Sequence, residues 1–211
     1  MSGASGTPYA AAVLRALLDA GESVDLVVSR ASRLTLLDET GIAFRDAHWQ
    51  DDLREWLARG ADGKPGTFAP DIDAVRHWSA GDLAAGPSSG SYPAKGMLIV
   101  PASTACVAGV ALGLSKDLLQ RAASVTLKEG RKLVVSVRET PLNGQTLRHL
   151  VTLDDLGAAV VPASPGFYAG ATHIQDLVDF VAGRVLDAAG VEHDLYRRWK
   201  GDLGAGFDTT N

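Results

Sequence analysis

The sequence predicts an α/β fold, a Rossmann-like doubly wound parallel sheet flanked by helices, and three observations carry that expectation. Short apolar runs alternate with amphipathic segments along the chain, the pattern that arises when helices cover both faces of a parallel sheet. The runs at Val24–Val28, Met97–Val100, Leu133–Val137 and Ala158–Val161 are nearly continuous in apolar side chains, as strands buried on both faces must be. Hydroxyl residues stand where two of these runs give way to a helix, at Ser29 and at Ser103-Thr104, on the edge of an open sheet where ligands bind. A chain of 211 residues suits one domain with a substantial core. The expectation is a single ligand-binding domain over residues 1–201, with 202–211 a disordered tail.

Each element follows from local signals. Thr7 is placed to cap a helix with Pro8 in its first turn, running through the alanine-rich Tyr9–Ala20 until Gly21 ends it. Ser29 caps the helix after the first apolar run, to about Glu39. Trp49, Leu53, Trp56 and Leu57 recur at helical spacing within Trp49–Arg59 and read as packing residues. Residues 60–72 are dense in turn formers (Gly60, Gly63, Pro65, Gly66, Pro70), and Gly81–Pro93 is a second loop containing Ser88-Ser89-Gly90-Ser91. The strand Met97–Val100 ends at Pro101, and Ser103 caps a small-residue helix to about Leu114. Helices at Asp117–Glu129, Gln145–Leu156 and Thr172–Ala189 then alternate with the last two strands.

Composition excludes several classes of function. The formal net charge of -5 provides no polyanion-binding surface, so nucleic acid is not an expected partner and a phosphate ligand must be met by a local cluster. With Cys106 alone, no intrachain disulfide can form and a cysteine-rich metal site is ruled out. His48, His77, His149, His173 and His193 show no ligand spacing, so no metal site is predicted. No apolar stretch reaches the roughly 18 residues of a membrane span, and no secretory leader is apparent; a cytoplasmic protein is expected.

The chemically richest stretch runs from Arg121 through Lys128, Glu129 and Arg131 into Arg138-Glu139. It sets cations and carboxylates at both ends of the strand Leu133–Val137, and Arg138 and Glu139 fall at the carboxyl end, an address for an anionic ligand. Lys128, Glu129, Arg131 and Lys132 fit equally the solvated last turn of a helix. The loop Ser2-Gly3-Ala4-Ser5-Gly6 offers small side chains and backbone N–H groups just before a helix start, which suits a phosphate. Together with Ser29 and Ser103-Thr104, that makes three junctions converging on one sheet edge, the arrangement of a mononucleotide pocket.

The chain resembles the flavin prenyltransferase (UbiX-like) family along nearly its whole length. Seven motifs in order carry the resemblance: Ser2-Gly3-Ala4-Ser5-Gly6, Pro101-Ala102-Ser103-Thr104, Arg121-Ala122-Ala123, Leu127-Lys128-Glu129, Arg138-Glu139-Thr140-Pro141, Pro165-Gly166-Phe167-Tyr168 and Arg198-Trp199-Lys200-Gly201. The resemblance implies that the mononucleotide is FMN, bound by Gly3, Ala4, Ser5, Ser29, the turn Ser103, Thr104, Ala105 and Cys106, and Arg138. It implies transfer of a dimethylallyl unit from dimethylallyl monophosphate to reduced FMN, at N5 and then by closure of a fourth ring, giving prenylated FMN for a UbiD-like decarboxylase. Lys128, Tyr168 and Arg184 match residues that hold the leaving phosphate, Ser5 and Glu139 match residues beside the phosphate and flavin edge, and Arg121 matches one near the site that sometimes reaches it from a neighbouring subunit. Ser5, Glu139 and Lys128 are the expected catalytic residues. A homo-oligomer, the family's dodecamer, is implied as well.

The residues also depart from the family pattern. Cys106 stands where Thr is common, Gly130 where many relatives are basic, and Leu83 where some carry an aromatic near the prenyl group. On its own chemistry Tyr168 fits a packed turn residue and Arg184 a surface charge. Relatives carry a strand ahead of the glycine loop, whereas only Met1 precedes Ser2 here, so Met1 is expected to lie inside the true reading frame. Two rival functions fit the same fold. A flavin-dependent cysteine decarboxylase calls for an early catalytic His and a Pro-x-Met-Asn clamp, where this chain has Arg138-Glu139-Thr140-Pro141-Leu142-Asn143. A non-catalytic carrier of prenylated flavin has no need of the phosphate cluster.

Overall fold

A computed structural model describes residues 1–66, 68–69, 71–199 and 201; the expected tail, 202–211, lies outside the described residues. The helices are α1 Thr7–Asp19, α2 Arg30–Thr40, α3 Trp49–Leu57, α4 Thr104–Ala111, α5 Leu118–Lys128, α6 Gly144–Asp155 and α7 Ile174–Ala189. The strands are β1 Val24–Val28, β2 Val75–Ser79, β3 Gly96–Ala102, β4 Lys132–Val137 and β5 Ala159–Val160. All strand pairs are parallel, in the orders β1-β2 and β3-β4-β5, with β4 the central strand of the larger sheet.

Period-two alternation splits the strand side chains between two apolar clusters. Leu133, Val135 and Val137 of β4 join Ile99 against α4, α5 and α6, while Val134 joins Leu26, Val28 and Val100 against α1, α3 and α7. Helices therefore cover both faces, and a buried β4 side chain such as Val134 contributes about 1.5–3 kcal/mol of transfer free energy. Ser29, Ser103, Asp117 and Asn143 each accept a first-turn N–H with the side-chain oxygen, which fixes where α2, α4, α5 and α6 begin.

The structure departs from the sequence reading in three places. β2 was unforeseen, because Val75-Arg76-His77-Trp78-Ser79 lacks both an apolar run and clean alternation. His77 on it is packed between the rings of Phe44 and Trp49. Thr7 does not cap α1: the cap position is Gly6, in the left-handed region at φ 110°, and the free N–H groups of Gly6 and Thr7 donate to the Glu39 carboxylate.

The third departure concerns the sheet, which is divided. β1 and β3 face one another across a cavity of about 1550 Å³ lined by Leu14, Leu26, Met97, Leu98 and Val100 among others. Met1 and Ser2 bridge it with backbone bonds. The Met1 amine donates to the Val27 carbonyl at 2.8 Å, the Met1 carbonyl accepts from Ser29 N at 3.2 Å, and Ser2 N donates to the Pro101 carbonyl at 3.1 Å. That is the bonding of a parallel strand laid between β1 and β3. β1 and β3 each present an edge without a strand partner to this cavity among the described residues. Among the described residues no helix is long and apolar enough to cross a membrane.

Candidate functional site

At the carboxyl edge of the strands the three junctions meet. The Ser2 hydroxyl donates to the Pro101 carbonyl and accepts from Ser103 N at 2.9 Å, tying the glycine loop to the start of α4. The Ser32 hydroxyl donates to the Met1 carbonyl, tying the same loop to α2. Gly3 allows the close approach: a Cβ there would overlap the Ala31 methyl, so any other residue pushes the loop off α2. The loop Ser2–Gly6, the starts of α2 and α4, and Arg138, whose N–H donates to the Ala102 carbonyl, thus surround one small-residue edge. Two helix N-termini, loop backbone and a guanidinium form a donor set that suits a phosphate monoester, so these residues fit the phosphate end of FMN.

Glu39 is the residue that sequence reasoning missed here. Its carboxylate accepts from Gly6 N at 2.9 Å, from Thr7 N at 2.8 Å and from the Thr7 hydroxyl at 2.6 Å. Burial pushes its pKa up, but the bonds from Thr7, Ser5 and Gly6 win and hold it below the ordinary glutamate value. A helix-terminal Glu has no local signature of such a role; only the packing of α2 beside α1 brings it to the loop. Glu39 thereby holds a carboxylate against the two residues that follow Ser5, one of the expected catalytic residues.

Cys106 is buried in the first turn of α4, and desolvation pushes its thiol up to about 11, so it stays protonated and packs as a small apolar group. Glu139 follows Arg138 at the carboxyl end of β4, with its carboxylate accepting from Thr140 N.

Lys128 does not share this edge. α5 runs back antiparallel to β4, so Lys128 sits at the amino end of that strand, bonded to Glu129, while Arg138 follows its carboxyl end. Six residues at about 3.3 Å each separate the two ends by roughly 20 Å. Arg121 lies along α5, and its Nε donates to the Ser88 carbonyl. Arg131 donates to the Gly90 carbonyl, so both arginines latch the serine-rich loop to α5. Within one chain the crossover geometry therefore sends Lys128 away from Arg138. Tyr168 and Arg184 form a third group, Tyr168 packing edge-on to Phe180 of α7, four residues before Arg184.

The flavoprotein family profile matches residues 1–186. The flavin prenyltransferase UbiX of Streptomyces coelicolor is 87% identical over 209 residues, covering 99% of this chain and 97% of that protein. The chain belongs to the flavoprotein family, among its UbiX flavin prenyltransferases. UbiX of Halalkalibacterium halodurans is 37% identical over 202 residues, covering 94% and 90%. Of solved structures, AnUbiX (PadA1) in complex with FMN and dimethylallyl pyrophosphate superposes with a TM-score of 0.79 at 33% identity over 95% of both chains. A dodecameric FMN-dependent UbiX-like decarboxylase from Escherichia coli O157:H7 gives 0.79 at 35% identity over 95% and 97%. The resemblance read from the seven motifs and the Rossmann-like α/β class both hold.

Proposed function

We propose that the protein transfers a dimethylallyl group from dimethylallyl phosphate to reduced FMN, releasing phosphate and prenylated FMN for a UbiD-like decarboxylase. The observation that carries this reading is the carboxyl-edge junction of the glycine loop, two helix N-termini and Arg138, in a chain so similar to a flavin prenyltransferase. Reduced FMN, when bound, supplies the nucleophilic ring.

The chain's own residues bind, orient and move protons. Gly3, Ala4, Ser5, Ser29, the Ser103, Thr104, Ala105 and Cys106 turn, and Arg138 hold the flavin phosphate end. Lys128, Tyr168, Arg184 and Arg121 grip the donor's phosphate, which must be stabilised as it leaves. Ser5 and Glu139 pass on the proton lost at ring closure.

Because Lys128 and Arg138 stand at opposite ends of β4, the complete site draws on a second copy of the chain. Exposed Leu112, Leu114, Leu147 and Val151 on and beside the neighbouring α4 and α6 support an assembly, and one similar structure is a dodecamer. Cytoplasmic location belongs to the same reading, which the single buried, reduced thiol suits.

The test incubates the protein anaerobically with reduced FMN and dimethylallyl monophosphate or diphosphate and weighs the flavin. Gain of one prenyl unit is expected. An unchanged mass with both donors, from protein that binds FMN, refutes transfer and leaves a carrier; turnover of a cysteine-derived carboxylate instead points to the decarboxylase. Comparing the two donors also settles which phosphate is preferred, a choice the similar complex with the pyrophosphate makes pertinent.

A further inference from the structure

The end of α7 and the segment behind it hold a charged cluster that the functional reading uses only in part. The Asp187 carboxylate accepts from the Tyr196 hydroxyl at 2.6 Å, from Arg184 Nη1 at 2.9 Å and from Arg198 Nη2 at 2.9 Å. His193 Nδ1 accepts from Leu195 N, which leaves the ring proton on Nε2 to donate to Asp187 at 3.1 Å. Two guanidinium groups therefore share one carboxylate, an excess of one positive charge before His193 is counted. Both arginine side chains are about half exposed, at 52% and 54%. Each guanidinium presents five N–H donors, and Asp187 engages one nitrogen of each.

The cluster is continuous with Tyr168. The Arg198 guanidinium lies 5.5 Å over the Tyr196 ring, Tyr196 packs on Phe180 at 5.0 Å, and Phe180 meets Tyr168 edge-on at 5.4 Å. Trp199, the next residue after Arg198, meets Tyr168 edge-on at 6.1 Å. Gly183 makes the arrangement possible, since a Cβ there would lie 2.5 Å from the Tyr196 ring and 2.7 Å from His193.

We propose that Arg198 is a second guanidinium arm for the phosphate end of the prenyl donor, held beside Arg184 by their shared bond to Asp187. The inference rests on the reading of Tyr168 and Arg184 as donor ligands. A phosphate monoester carries close to two negative charges at neutral pH and several acceptor oxygens, so two planar forks engage it together where one leaves oxygens unmet. Without Asp187 the paired guanidinium groups repel one another and swing into solvent. With it they are ordered before the donor arrives, and ordering each long side chain on binding otherwise weakens affinity by up to about tenfold. Burial raises the Asp187 pKa, but the bonds from Tyr196, Arg198 and His193 outweigh it and bring the carboxyl down to about 2, so the tether is charged whenever the donor phosphate is.

The test measures anaerobic steady-state transfer with reduced FMN and dimethylallyl monophosphate, together with inhibition by inorganic phosphate. Arg198→Ala is expected to raise the donor KM about tenfold and to weaken phosphate inhibition by a similar factor, with FMN affinity unchanged. In an Arg184→Ala background the same change is expected to do less, because the two arms grip one group. Arg184→Ala raising the donor KM while Arg198→Ala moves neither KM nor phosphate inhibition overturns the proposal. Arg184→Ala leaving the donor KM unmoved sinks the underlying placement of the donor instead. Should Arg198→Ala melt early, Arg198→Gln, which keeps the stem over Tyr196 and removes the charge, is read in its place with the same two outcomes.

Discussion

In a chain prepared to begin at Met1, lowering the pH from about 9 to about 5 is expected to weaken the fold through one buried amine. The Met1 ammonium is held inside the gap between β1 and β3, where desolvation lowers its pKa from 8.0 to about 6. Its folded pKa lies below its unfolded value, so the unfolded chain binds more protons between the two, and stability rises with pH across that window. The loss is complete below about pH 6 and absent above about pH 8. A shift of that size corresponds to about 3 kcal/mol, a large part of a stability that is typically about 5–15 kcal/mol. Buried His77, its pKa also lowered by desolvation, acts in the same direction just below its ordinary range, so the amine must be isolated. Placing about five apolar residues ahead of Met1 does so: the amine becomes a peptide N–H still aimed at the Val27 carbonyl, and the added strand pairs with β1 and β3. Urea midpoints at about pH 5 and about pH 9, on chains whose amino termini are verified by mass, are expected to show a smaller pH difference and higher stability for the extended chain. An extended chain with the original pH dependence, or one that unfolds more readily at every pH, refutes the strand-slot reasoning.

Three further outcomes follow from the geometry. Arg138→Ala is expected to weaken FMN binding about tenfold by removing the cation at the loop edge, read by titration against flavin fluorescence. Glu139→Gln is expected to lower the rate of flavin alkylation about a hundredfold while FMN affinity stays within about twofold, read by anaerobic product mass over time. Gly3→Val is expected to cost about 1–3 kcal/mol and to abolish tight FMN binding, because its side chain overlaps Ala31; an unchanged melting temperature contradicts the packing described for the loop.

Much of the fold was legible because its signals are local. The buried runs of β1, β3 and β4 and the hydroxyl caps Ser29 and Ser103 show in five or six consecutive residues, and they locate the edge proposed for the flavin phosphate. β2 was illegible because Arg76 and His77 break the apolar pattern, and His77 is tolerated only through the rings of Phe44 and Trp49, distant in sequence. Glu39 was illegible for the same reason: its partners Gly6 and Thr7 are more than thirty residues away.

By itself, the order of apolar runs, caps and seven motifs determined the family, the parallel α/β class and the identity of the residues that carry charge. Where those charges go was decided by the tertiary structure. A parallel crossover returns its helix antiparallel to the strand, so Lys128 and Arg138, ten residues apart, stand at opposite ends of β4, while Asp187 and Arg198, eleven apart, touch because the chain turns back after Gly190. Spacing in sequence prescribes neighbours only within one element; between elements, direction and turn geometry do.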